Sequence, residues 1–234
     1  MWRRRLIVKR KGIPAVMAPL LLACAAAAYG GEATRYFYQG VHELHGGTGI
    51  AHDSAQIDAY DGANVTAHDN ATVRAYGDAT VAAYEHSDVY AHARSHVQAH
   101  DNSRVYARNA ATVEASDSAV VEAANDSQVT ARGNVTVLAA DNAHVKAYDH
   151  AVVLARGHSQ VEAYGETKVT ASDDAVVVTN NQVVVNAHGN TLVKARGAAS
   201  IKAWGRARVE DEGVGPARIQ RVPHEGNSGE EFML

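Results

Sequence analysis

From Gln56 onward the chain alternates small apolar and polar residues in blocks of eight. They read QIDAYDGA, NVTAHDNA, TVRAYGDA, TVAAYEHS and so on to RVEDEGVG, twenty blocks without an insertion or deletion. Position two is Val in eighteen blocks and Ile in two, Ile57 and Ile201; position four is Ala in eighteen, with Thr179 and Asp211 as the exceptions. Position eight is nearly always Ala, Ser, Thr or Val. Successive residues of an extended strand point to opposite faces, so positions eight, two and four share one face and positions one, three and five the other. The first face is small and apolar, whereas the second carries Thr, Gln, Arg, Lys, Glu, Tyr and His, the pattern of a half-buried strand. An eight-residue period fits no helical stripe. Positions six and seven hold turn formers that tolerate positive φ, such as Asp69-Asn70, Gly77-Asp78, Asp141-Asn142, Gly157-His158 and Gly189-Asn190. Each octad therefore predicts one strand and one turn.

One such strand has a thin apolar face and unpaired backbone groups on both edges, and stacking successive coils satisfies both needs. The expected fold is all-β, a single-stranded parallel β-solenoid. Val and Ala are too small to fill a triangular coil of three octads, which favours two octads, or 16 residues, per coil and a flattened two-sheet cross-section. Ten coils at roughly 4.8 Å each would make a rod of about 50 Å. The solenoid is expected over 56–215, preceded by a cap and partial repeat at 30–55 with the cluster Tyr36, Phe37, Tyr38 and Val41. It is followed at 216–234 by one covering strand (Ile219 to Val222) and a polar, disordered tail.

Composition agrees with a thin core. Of 234 residues only two are Phe, two Trp and three Met, and the four prolines all lie outside residues 20–215. Twenty-two Lys and Arg against 26 Asp and Glu, dispersed along the chain, make no phosphate-tracking stripe, so nucleic acid is not an expected partner. With Cys24 as the single cysteine, neither an intramolecular disulfide nor a Cys-based metal cluster can form.

The first eleven residues carry six Arg and Lys and no acid, and an apolar run follows to Tyr29, the layout of a bacterial export signal at 1–29, either cleaved or kept as an anchor. Leu21, Leu22, Ala23 and Cys24 resemble a lipobox, which would make Cys24 a lipidation site, while Ala26 and Ala28 offer an ordinary signal-peptidase cut. The expected location is the cell envelope, the periplasm or outside the cell, touching the membrane only through this signal or its lipid.

The repeat V-x-A-x-[DG]-x-[AS], as in TVRAYGDA and HVKAYDHA, resembles a group of bacterial and phage-associated octapeptide-repeat proteins, mostly without assigned function. The resemblance covers about two thirds of the chain and implies the β-solenoid architecture but no activity. A looser similarity to adhesin heads built as irregular β-solenoids is set against the strict period here.

In a two-octad coil, position-five residues 16 apart lie above one another. Tyr60 and Tyr76 would stack on one face; on the other, His68, Tyr84 and His100 form one series and Arg132, Tyr148 and Tyr164 a second. These columns can stabilise the rod or bind a repeating polymer. Asp61, Asp69, Asp101, Asp117, Asp141, Asp149 and Asp173 sit at turns as in calcium-binding β-rolls, but at a spacing of eight and without the paired glycines. They are expected to accept N–H groups of their own turns. The set His42, Glu43 and His45 is the best of the metal candidates among thirteen histidines, and no metal or other cofactor is expected.

Without loops inserted anywhere in twenty octads, a catalytic site is not expected. The leading expectation is a non-enzymatic structural or surface-interaction rod of the envelope. The alternatives are a carbohydrate-binding or adhesin module using the Tyr and His columns, touching a polysaccharide, a cell-wall polymer or another surface protein, and a solenoid that self-associates end to end.

Overall fold

The structure is a computed structural model that describes residues 33–213 and 215–223. The expected export signal with Cys24 and the tail at 224–234 lie outside the described residues. Among the described residues twenty-four strands follow one another from β1 (Arg35–Phe37) to β24 (Arg218–Val222). Odd-numbered strands form one twelve-stranded sheet in sequence order and even-numbered strands a second, so consecutive octads alternate between sheets and each coil takes two of them. All pairing is parallel, and between β4 (Gln56–Tyr60) and β22 (Ser200–Trp204) each residue faces the one 16 further on, as in Gln56 opposite Thr72. The two-sheet parallel β-solenoid with 16 residues per coil is thus the observed fold.

The inward rows are as small as the pattern implies. From Ile57 to Ala207, Val or Ile at position two and Ala at positions four and eight of both sheets form one continuous core, none of them more than 4% exposed, and Val209 in the last octad is partly buried against it. Short residues are needed because the two sheets close on each other within a turn of only three or four residues, such as 61–63 or 68–71.

Each turn is built around position six, which from Asp61 to Gly213 adopts φ between 51° and 81° in every octad. That left-handed geometry reverses the chain in three residues, and the N–H of position eight closes the turn on the carbonyl of position five, as in Ala63 to Tyr60 at 2.9 Å and Ala71 to His68 at 3.0 Å. Asp, Asn and Gly tolerate it best, and Ala93, at φ 56°, is the one aliphatic residue forced into it.

The segments read as caps continue the ladder. β1 pairs with β3 (Thr48–Ala51), and β2 (Val41–His45) pairs with β4. At the other end β24 lies along β22, the expected covering strand. Spacing departs from 16 only in these outermost coils: Arg35 faces Gly49, Val41 faces Gln56 and Ile201 faces Ile219. Each sheet consequently holds twelve strands where the octads alone account for ten.

Candidate functional site

Position-five side chains leave the strand at its end, half-exposed at the shoulder of each turn, and the 16-residue register sets them one above another. On the odd sheet Tyr38, His52, His68, Tyr84 and His100 make one unbroken stack with ring centroids 5.5, 5.1, 5.2 and 5.0 Å apart. It ends where His100 Nδ1 meets the Ser116 hydroxyl at 2.9 Å. In the same column Arg132 lies over Tyr148 at 4.9 Å, and Tyr148 stacks on Tyr164 at 4.8 Å. The even sheet carries His45, Tyr60, Tyr76 and His92 at 4.9, 4.9 and 5.3 Å, then His188 on Trp204 at 4.4 Å. Tyr90 and Tyr106 stack at 4.8 Å in its position-three column.

Every residue singled out for stacking from the period is in a column, and the two series on the odd sheet belong to a single one, divided at Ser116. His52, His92, Tyr90, Tyr106, His188 and Trp204 were missed although the 16-residue spacing points to them. Tyr38 and His45 could not be found that way, because their coils are 14 and 15 residues long.

These rings are nearly coplanar, with interplanar angles of 8° to 15°. A ring inside such a column therefore has both faces covered by its neighbours, and it offers solvent only its edge and polar tip. Each pair contributes about 0.5–1.5 kcal/mol to holding coils together. Ion pairs follow the same vertical logic: Arg74 to Asp58 at 3.1 Å and Arg94 to Asp78 at 2.9 Å, each joining residues 16 apart. The Tyr164 hydroxyl donates to Glu162 at 3.1 Å, and burial followed by this neighbouring carboxylate pushes its pKa upward.

The turn carboxylates differ from expectation. Asp69 accepts from the N–H of Asp53, Glu85 from Asp69, Asp101 from Glu85, and Asp149 from Gly133, each reaching the turn one coil earlier. Their own turns are already closed backbone to backbone, while the position-six N–H points along the stack and needs an acceptor from the next coil. One corner thereby lines up Asp69, Glu85, Asp101 and Asp117 along an open groove of about 620 Å³. Asp117 titrates below the usual carboxylate range, mainly because the Ser116 hydroxyl donates to it at 2.7 Å. The carboxylates are spent as acceptors for neighbouring backbone.

The histidine set at the front does not converge as a group of three. His42 occupies an inward slot opposite Ile57 and packs on Phe37 at 4.7 Å, whereas Glu43 and His45 face outward. His45 Nδ1 meets Asp61 at 3.0 Å while its Nε2 lies 3.7 Å from Glu43, and chiefly the Asp61 hydrogen bond raises its pKa above the ordinary histidine value. Among the described residues no group of three or more His, Cys, Asp or Glu is arranged to hold a metal ion.

Comparison of the chain with protein-family models, with curated proteins and with solved structures yields no match.

Proposed function

We propose that this protein is a non-enzymatic, exported structural rod of the cell envelope whose outward columns serve first to hold the coils together. The observation that carries the reading is that the exposed shoulders of both sheets are used for coil-to-coil stacking, with ring faces turned to one another rather than to solvent. Uniform three- and four-residue turns leave no projecting loop on which a reaction centre could be assembled from β4 to β22.

The carbohydrate-binding alternative needs flat ring faces for sugars to lie on, and inside a column those faces are occupied. It is left with phenol and imidazole edges and with the outer face of a ring that ends a column, such as Tyr164. End-to-end association has an observation in its favour, since Tyr36, Tyr38 and Val41 on the first coil are 59%, 55% and 63% exposed and Ile219 on the last is 41% exposed.

Replacing Tyr148 and Tyr164 together with Ala separates the first two readings. A structural column predicts a loss of about 1–2 kcal/mol of stability in chemical denaturation and undiminished retention on cell-wall polysaccharide. Retention lost with stability unchanged would overturn it in favour of the adhesin. Export is tested by fractionating producing cells and weighing the mature N-terminus: a start at Cys24 or after Ala28 in an envelope or secreted fraction supports it, and an intact Met1 in the cytoplasm sinks it.

A further inference from the structure

The two outer faces are not alike. Between β4 and β22 the large apolar side chains that stand exposed, Tyr90, Leu138, Val152 and Val184, lie on the even sheet, whereas the central strands of the odd sheet present Gln98, Glu114, Thr130, Lys146 and Glu162 at position three. Leu138 and Val152 stand on neighbouring strands, β14 (Thr136–Ala139) and β16 (Val152–Ala155), and position three of these and of β12 (Val120–Ala123) before them reads Glu122, Leu138, Leu154. Here the position-five column is also interrupted. Instead of a ring or a long chain it holds Ala124 and then Ala140, and the two missing side chains leave a dent of about 250 Å³ beside Tyr106 and Leu138.

The walls of the dent are cationic. Arg108 closes one end of the gap and Arg156 the other, both in the position-five column. No described carboxylate lies within 4 Å of either guanidinium, although Arg74, Arg94 and Arg196 on the same rod are each paired with the acid 16 residues away. Glu122 is the only acid lining the dent; it lies beside Tyr106, whose pKa is raised chiefly by burial and then by Glu122. Two unpaired arginines stand three coils apart, roughly 14 Å along the stack, with an apolar floor two coils long between them.

We infer that this dent binds a small amphiphilic anion, with an apolar body of roughly 10 Å lying over Ala124 and Ala140 and a carboxylate, sulfate or phosphate on Arg108 or Arg156. Size decides against a protein partner. Three strands about 4.8 Å apart and four residues long cover roughly 200 Å², against about 800 Å² per partner in a stable interface. Charge decides the sign of the ligand, because Arg108 and Arg156 are both exposed at the ends of the apolar floor and only an anion gains a charge-assisted hydrogen bond from them. The site does not depend on where the protein resides.

The test is a nuclear magnetic resonance titration of the full chain with decanoate below its micelle concentration, with decanol and acetate as the apolar-only and anion-only controls. Saturable binding of decanoate is expected, with shifts confined to residues 104–156 and at least about tenfold weaker binding of either control. The double variant Arg108→Gln, Arg156→Gln should lose on the order of tenfold in decanoate affinity. Filling the gap with Ala124→Tyr and Ala140→Tyr should abolish binding while the protein still folds, since Tyr occupies the same position at Tyr60, Tyr76 and Tyr148. If the tyrosine variant does not fold, the arginine variant decides alone. Absence of saturable binding, undiminished binding by the arginine variant, or capture by anionic phospholipid vesicles without any binding of free decanoate would each overturn the inference.

Discussion

The middle coils and the first coil fill the same inward slots with different residues. Around β14, positions two and four hold Val137 and Ala139, and the coils directly above and below repeat them, so each side chain meets neighbours of its own size. In the first coil Leu44 takes the slot opposite Ala59, Phe37 the slot opposite Ala51 and His42 the slot opposite Ile57. Phe37 and His42 pack together there, and the next strand carries Gly49 where other octads carry Val or Ile. A Cβ on Gly49 would come within 2.9 Å of Leu44 and 3.1 Å of Phe37. The same position thus tolerates different volumes depending on what covers it: an inner coil is sealed by its neighbours, while the first has to be sealed by bulk. In a stack where each unit touches only the next, an end is stable only if its single interface replaces what two supply elsewhere.

Shortening the plug should break the contrast most strongly. Leu44 is 1% exposed, and Leu44→Ala is expected to cost about 3 kcal/mol through lost burial and the cavity left behind. Because the damage sits on a terminal unit, hydrogen exchange should accelerate in β2 and β4 first, with β12 to β16 still protected. Uniform acceleration along the whole stack would show that the coils do not behave as nearest-neighbour units.

Restoring the repeat at the front should come next in size. Gly49→Val makes the first partial octad match the others, and a reading of the pattern alone would judge it favourable. The position is already filled by Leu44 and Phe37, so about 2 kcal/mol of destabilisation is expected from overpacking, read from denaturant midpoints. A gain in stability would mean that the plug shifts aside without penalty and that Gly49 is not there to make room.

That contrast also marks how far the sequence alone could be read. Where the period is strict, side-chain size chose two octads per coil, and the same spacing placed Tyr60 under Tyr76 and Tyr148 under Tyr164. The first coil was opaque because 14- and 15-residue spacings carry no periodic signal; Leu44 looks like any other residue of an irregular segment. The carboxylate ladder was opaque for a different reason. An Asp at a turn announces the turn, but whether it accepts an N–H there or one coil away depends on which donors the closed turn leaves over. The even-sheet dent was legible in principle, since Ala124 and Ala140 are the one pair of alanines that follow each other in a position-five column, with Arg108 before them and Arg156 after.

The smallest expected effect lies in the turns, where the middle coils are less uniform than their core. In the even-sheet corner column, Gly77, Ala93 and Asn109 succeed one another at position six, with φ of 63°, 56° and 60°. Glycine holds this geometry without strain, and Asn is helped by its short polar side chain. Ala93 has neither advantage, and its Cβ crowds the following carbonyl at about 1–2 kcal/mol. Ala93→Gly removes that strain but adds freedom to the unfolded chain, leaving a net gain of about 0.5–1 kcal/mol and a higher melting temperature. Unlike the two changes at the front, this one alters no inward slot, so it should stabilise the interior of the stack without changing the order in which amides exchange. A loss of stability would mean that the Ala93 methyl makes a contact worth more than the strain it imposes.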